Sequence, residues 1–429
     1  MLILDATVNN LWVLLAALFV FLMTIAVGFL EVGEFGEKYD RSLIKTMIIT
    51  CSALFFMAFL GFNTAFAPTI AGVIGNPLYN GIFLGGFNVN VAGMLTGTWW
   101  SMGASYFNTG LTTSTYFLFE TAFAAVTLAL VGLIILHKVR MTAFFIYTIP
   151  YFIIIWAIPA AWIWNPTGWL ASLGMSDFAG GLVVHGAAAA AGLGILLQIW
   201  REERKKGYKQ SPQVKINVNK GWLTLGLLLL WLGWFGFNPG SVLAFNSEAM
   251  VVVITTFVAA AASFLSVMAS TKLILKTRPQ LVDGANGVLM GLIVITPLAG
   301  FVSVGSAVVL GLLGGPLFVL GEKFFAKVKW FSDPAGLFAG HMTGGLFGVL
   351  MVAVFAQSAF AAQSGYPNLP SGILFGGGMA AVHQLGVQIL GIVVVMPVVF
   401  LLSFIAAWLI SKAMGGITID YAKVFKEGR

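Results

Sequence analysis

Four stretches of this chain, residues 46–119, 141–176, 284–321 and 334–411, contain no Asp, Glu, Lys or Arg. A helix needs about 20 apolar residues to cross a bilayer, so each run is long enough for one crossing and most for two. Backbone polar groups in lipid must be satisfied within the spanning element, which leaves helices and closed barrels. A barrel would alternate apolar and polar residues over segments of about ten, and these runs are continuous, so spanning strands are not expected. Composition agrees: 59% of the 429 residues are hydrophobic and 9% charged, against about 25% charged in soluble domains. Broken at Gly, Pro, Asn and charged clusters, the chain predicts about eleven helices, centred in 9–31, 44–66, 112–136, 142–163, 178–200, 221–239, 249–271, 284–299, 301–321, 336–357 and 385–411. Residues 67–111, with Trp99 and Trp100, read as a long uncharged outer loop dipping into the interface.

The net charge of +7, from 22 Lys and Arg against 15 Asp and Glu, records orientation. Every Lys and Arg lies in 32–45, 137–141, 201–220, 272–280, 322–333 or beyond residue 411. With eleven crossings these segments share one side, and the positive-inside rule makes it cytoplasmic, with the amino terminus outside in the cell membrane. No nucleic-acid motif accompanies the charge. The one cysteine, Cys51, rules out a disulfide framework and a thiolate metal site, and no cofactor or metal is expected. The start, MLILDATVNNLW, lacks a basic segment before its apolar stretch, so 9–30 reads as a retained first helix.

DFAGGLVVHGAAAAAG (177–192) resembles DPAGLFAGHMTGGLFG (333–348): each has Asp, then Ala and Gly, then His eight residues after the Asp, then small residues. In the eleven-helix order one segment enters from outside and the other from inside, the mark of a five-plus-five inverted repeat with its site at mid-membrane. The fold class is therefore an all-α integral membrane protein. It forms a single membrane domain, with repeat one at about 9–200, repeat two at about 221–357, a final helix at about 385–411 and a short cytoplasmic tail at 412–429. Eight residues at about 1.5 Å each carry His185 and His341 roughly 12 Å past Asp177 and Asp333, toward each other in a core ~30 Å thick. Two separate histidines bonded to backbone carbonyls would show the same local sequence; the symmetric placement and the cost of ionisable groups in a membrane favour a site. His383 reads as packing or subunit contact, and His137 as a cation at a helix end that complements the dipole.

GWFGFNPGS (233–241), DFAGGLVVH (177–185), NGVLMGLIVITPLAGFVS (286–303), FAGHMTGGLFG (338–348) and ETAFAAVT (120–127) resemble, in order, blocks of the ammonium transporter family (Amt/Mep/Rhesus). The likeness runs from about residue 50 to 412. It implies ammonium or ammonia transport, with methylammonium a further substrate, by a homotrimer in a lipid bilayer with one pore per subunit. It places Trp164 and Ser241 at outer ammonium recruitment, Phe123 and Phe237 at a phenyl gate, and His185 and His341 as the pore pair. Asp177 reads as a helix cap and, by the resemblance, as structural support of the outer site. Aromatic faces attract a bare cation and a Ser oxygen accepts an N–H. A bare ion in a dry bore would cost tens of kcal/mol, so ammonium is expected to leave its proton at the gate.

Glu120 stands where the family usually shows an amide, and a carboxylate there reads as counter-charge, proton acceptor or a protonated structural group. Pro239 and Gly186 also depart from the pattern. The tail GGITIDYAKVFKEGR does not match the family's regulatory tail, which speaks against a PII-type regulator. These departures motivate an alternative, an ammonium-binding sensor that conducts little or nothing. Neither HExxH nor G-x-S-x-G is present, so an enzyme is not expected. Likeness to Rhesus proteins adds carbon dioxide as a further candidate.

Overall fold

The computed structural model describes residues 2–35, 39–79, 81–84, 111–135, 137–210, 218–331, 333 and 336–420. Among them, eleven helices are long and apolar enough to cross a membrane: α1 (Asp5–Glu34), α2 (Tyr39–Phe66), α3 (Thr113–Ile135), α4 (Met141–Ile163), α5 (Gly181–Lys205), α6 (Lys220–Gly240), α7 (Ser247–Leu275), α8 (Leu281–Leu298), α9 (Val304–Phe325), α10 (Phe338–Phe355) and α11 (Gly378–Met414). Each falls on one of the eleven segments expected from the uncharged runs. Helices that are apolar all round suit either a protein interior or lipid, and the spans differ in how far this chain buries them. α3 is buried almost along its whole length, whereas α11 leaves most of its surface outside the chain's own core. The long neighbours pair as α1 with α6, α7 with α9, and α5 with α11.

Five of the spans contain a π-helical turn, at Met57–Gly61, Tyr151–Ile155, Gly181–Gly186, Thr271–Leu275 and Phe338–Met342. Such turns are rare and gather at functional sites; two of the five, Gly181–Gly186 and Phe338–Met342, bear His185 and His341.

Several sequence expectations change. The loop read at 67–111 carries a small antiparallel ribbon, β1 (Thr69–Ile70) on β2 (Ile74–Gly75); Trp99, Trp100 and the rest of 85–110 lie outside the described residues. The connection before α11 holds a short helix, Ser358–Gln363, and α11 starts at Gly378 and not near 385. Lys45, counted among loop cations, sits fully buried in α2 and pairs with Glu31 of α1. The Ser42 hydroxyl also donates to Glu31, at 3.0 Å. A buried lysine needs a partner, and helix neighbours supplied one where local sequence showed only a boundary.

The connection between α3 and α4 brings another correction. Burial, with Lys138 and Arg41 alongside, lowers His137 from 6.5 to about 3. It is therefore neutral and does not complement a helix dipole as a cation. Lys138 is buried too, 3.4 Å from Glu203.

Candidate functional site

His185 and His341 meet: their Nδ1 atoms are 3.0 Å apart, and the rings are 1% and 7% exposed. A contact between two ring nitrogens holds one hydrogen, so one Nδ1 donates and the other accepts. Each histidine lies in one of the π-turns, Gly181–Gly186 or Phe338–Met342, and each turn is capped by the aspartate eight residues before. Asp177 accepts from the N–H groups of Gly180, Gly181, Leu182 and Val183, at 3.1, 2.6, 2.8 and 3.0 Å. Asp333 accepts from Leu337, Phe338 and Ala339 at 2.8, 2.9 and 3.1 Å. Helix starts leave these N–H groups without intrahelical partners, and the negative charge of a carboxylate complements the positive end of the helix. Burial nevertheless raises both carboxyl groups against these bonds, Asp333 to about 6.

The backbone before α5 needs glycine. Gly180 has φ of 109°, a region open to glycine and strained for other residues. Across the pair, a Cβ on Gly345 would stand 2.9 Å from that of His185, so only the bare backbone of α10 lets the two histidine turns approach.

From the pair an aromatic series runs to one side. His185 stacks on Phe237 with centroids 5.9 Å apart and planes at 12°. Phe237 meets Phe123 at 4.5 Å, and Phe123 presents an edge to Trp164 at 5.6 Å. Phe123 and Phe237 are 1% and 0% exposed, so no open bore passes between them. Beyond Phe123 lies a cavity of about 80 Å³ whose walls include Trp164, Ser241, Glu120, Phe119, Tyr116 and Tyr366. The Ser241 hydroxyl donates to the carbonyl of Phe237 at 2.8 Å, leaving its oxygen lone pairs free to accept. Trp164 Nε1 donates to the Asp177 carbonyl at 2.7 Å, which fixes the indole. On the far side His341 lines a smaller cavity of about 30 Å³ with Leu133, Leu230, Ile293, Asn286 and Glu34.

The amino-acid sequence matches the profile of the Ammonium Transporter Family over residues 11–423. The chain belongs to that family. It is 30% identical over 410 residues to the ammonium transporter Amt1 of Archaeoglobus fulgidus, covering 95% of this chain and 93% of that one. The ammonium transporter of Bacillus subtilis is 30% identical over 355 residues, 82% of this chain and 81% of the relative. Among solved structures, one described as a sensor Amt protein superposes with a TM-score of 0.81 at 26% identity, covering 98% of this chain and 96% of the other. The fold is also that of Candida albicans Mep2, with a TM-score of 0.82 at 23% identity over 97% and 87% of the two chains.

Within this family fold, sequence reasoning had not singled out Trp234, Tyr116 or Tyr366. Trp234 stacks on His185 at 6.1 Å and donates through Nε1 to Thr296 at 3.2 Å; it stands inside the GWFGFN block, so its signal was present. Tyr366 comes from the segment between α10 and α11, which carries no motif. Burial, then the charges of Asp177 and Glu120, push its hydroxyl above the usual tyrosine value, so it remains an O–H donor. His383 is exposed on α11 and takes no part.

Proposed function

We propose that the chain carries ammonium across the membrane by binding the ion in the outer cavity, releasing its proton at the two phenyl rings and passing ammonia along the histidine pair. The unbroken contact series Trp164, Phe123, Phe237, His185, His341 carries this reading, because it links one cavity to the other and admits no hydrated ion. In the outer cavity the indole and phenyl faces attract a bare cation by about 0.5–2 kcal/mol, and the Ser241 oxygen accepts one N–H. Past the rings an isolated charge would cost far more than these contacts return, whereas ammonia is neutral and can both donate to and accept from imidazole nitrogens. Asp177 has both oxygens occupied by backbone N–H groups, which supports a shaping role and not that of a ligand.

The same reading takes the two Asp-to-His segments as symmetry-related halves of an inverted repeat, puts the amino terminus and the Trp164 cavity outside, and assembles three chains with one path each. Proteoliposomes given ammonium pulses test the transport step: flux or current is expected in wild type, with at least a tenfold loss in the His185→Ala, His341→Ala double variant. Equal flux in both would sink the histidine path. A second reading, a receptor that binds without conducting, is favoured by the likeness to the sensor Amt protein. Saturable ammonium binding with no flux under any gradient would decide for it.

A further inference from the structure

Glu120 is the one carboxylic acid among the described residues that line the outer cavity. It is 5% exposed; a side-chain hydrogen bond joins it to Tyr116, and its Oε2 accepts none. A buried acceptor without a donor is costly, and a buried carboxylate without a counter-charge is costlier. The two buried lysines among the described residues are committed elsewhere, Lys45 to Glu31 and Lys138 to Glu203. A donor that enters the cavity from solution would complete Glu120.

The cavity restricts what can enter. Its oxygens are few, the Ser241 hydroxyl, two tyrosine hydroxyls and the carboxylate, and the rest of its wall is aromatic or aliphatic. Metal cations such as Ca²⁺ want six to eight oxygen ligands. An ammonium-type ion needs only acceptors for some of its N–H bonds and π faces for the others. Glu120 and Phe123 are three positions apart on α3, so they share one helix face, and both line the cavity.

We propose that Glu120 is a substrate-binding residue whose Oε2 pairs with an ammonium or small primary alkylammonium ion in the outer cavity. The proposal rests on the ammonium reading above and adds to it a charge-paired capture step. The test is calorimetric titration of purified wild-type, Glu120→Gln and Glu120→Asp protein with ammonium chloride and methylammonium chloride in potassium chloride buffer, alongside concentration-dependent uptake. Glu120→Gln is expected to weaken binding and raise the apparent KM by about tenfold to a hundredfold, with the maximal rate much less affected. Glu120→Asp retains most of the affinity. Infrared difference spectra of the wild type supply a measurement independent of variant folding: ammonium, and not potassium, shifts a carboxylate band. Unchanged affinity in Glu120→Gln, or no carboxylate response in a wild type that binds ammonium, overturns the proposal alone. A wild type that neither binds nor carries ammonium overturns the functional reading together with it.

Discussion

At His137 burial and neighbouring cations act in one direction. The folded chain keeps this imidazole neutral down to about pH 3, whereas an unfolded one takes a proton near 6.5. Because the folded value is the lower, its contribution is complete above pH 6.5 and is lost as pH falls, by at most about 1.4 kcal/mol per pH unit. Thermal melting of the detergent-solubilised protein should therefore drop between pH 6.5 and 4.5, and His137→Gln should flatten that part of the curve. The other residue-scale surprise, Lys45, is a buried ion pair. Removing one member strands a charge, whereas replacing both with apolar groups does not. Lys45→Met is expected to cost about 3–5 kcal/mol, and the Lys45→Met, Glu31→Met double variant to recover most of it in the same melting assay. Neither environment was legible in sequence. A histidine beside Lys138 and a lysine at the end of an apolar run look like surface groups until the helices packed over them are known.

At the scale of elements, the pairing of α5 with α10 depends on small residues. Valine at Gly345 would press on His185, and overpacking of this kind costs about 1–3 kcal/mol. Gly345→Val should keep its helical circular dichroism, melt earlier and lose ammonium flux, with flux equal to wild type speaking against the close-contact role. This part of the molecule could be read in advance. The eight-residue spacing from Asp177 to His185 and from Asp333 to His341 is local, and the bilayer adds a fixed thickness into which both must fit. Tyr366 could not be read in the same way, because it reaches the cavity from an irregular segment whose path depends on contacts remote in sequence.

For the whole molecule, hydropathy and the placement of cations pointed to the eleven spans, since lipid punishes any unsatisfied backbone group. How the carboxyl-terminal stretch is held lay beyond that logic. The Glu202 carboxylate accepts from the N–H groups of Ile417 and Thr418, at 3.0 Å for each of the shorter contacts. Arg140 donates to the Thr418 carbonyl at 3.1 Å, tying the stretch to the connection between α3 and α4. Glu202→Gln should speed amide hydrogen exchange at Ile417 and Thr418 by about tenfold or more, consistent with losing charge-assisted bonds; protection equal to wild type would place the tether elsewhere.

The π-turns before the two histidines also have a rotational meaning. Each adds one residue to a turn, and one residue on an α-helix amounts to about 100° about its axis. Regular α-helix over Gly181–Gly186 or Phe338–Met342 would swing an imidazole round to another neighbour while hardly changing its depth. The aspartates that brace these turns thus set the phase of the helices, and the meeting of two nitrogens 3.0 Å apart depends on angle more than on length.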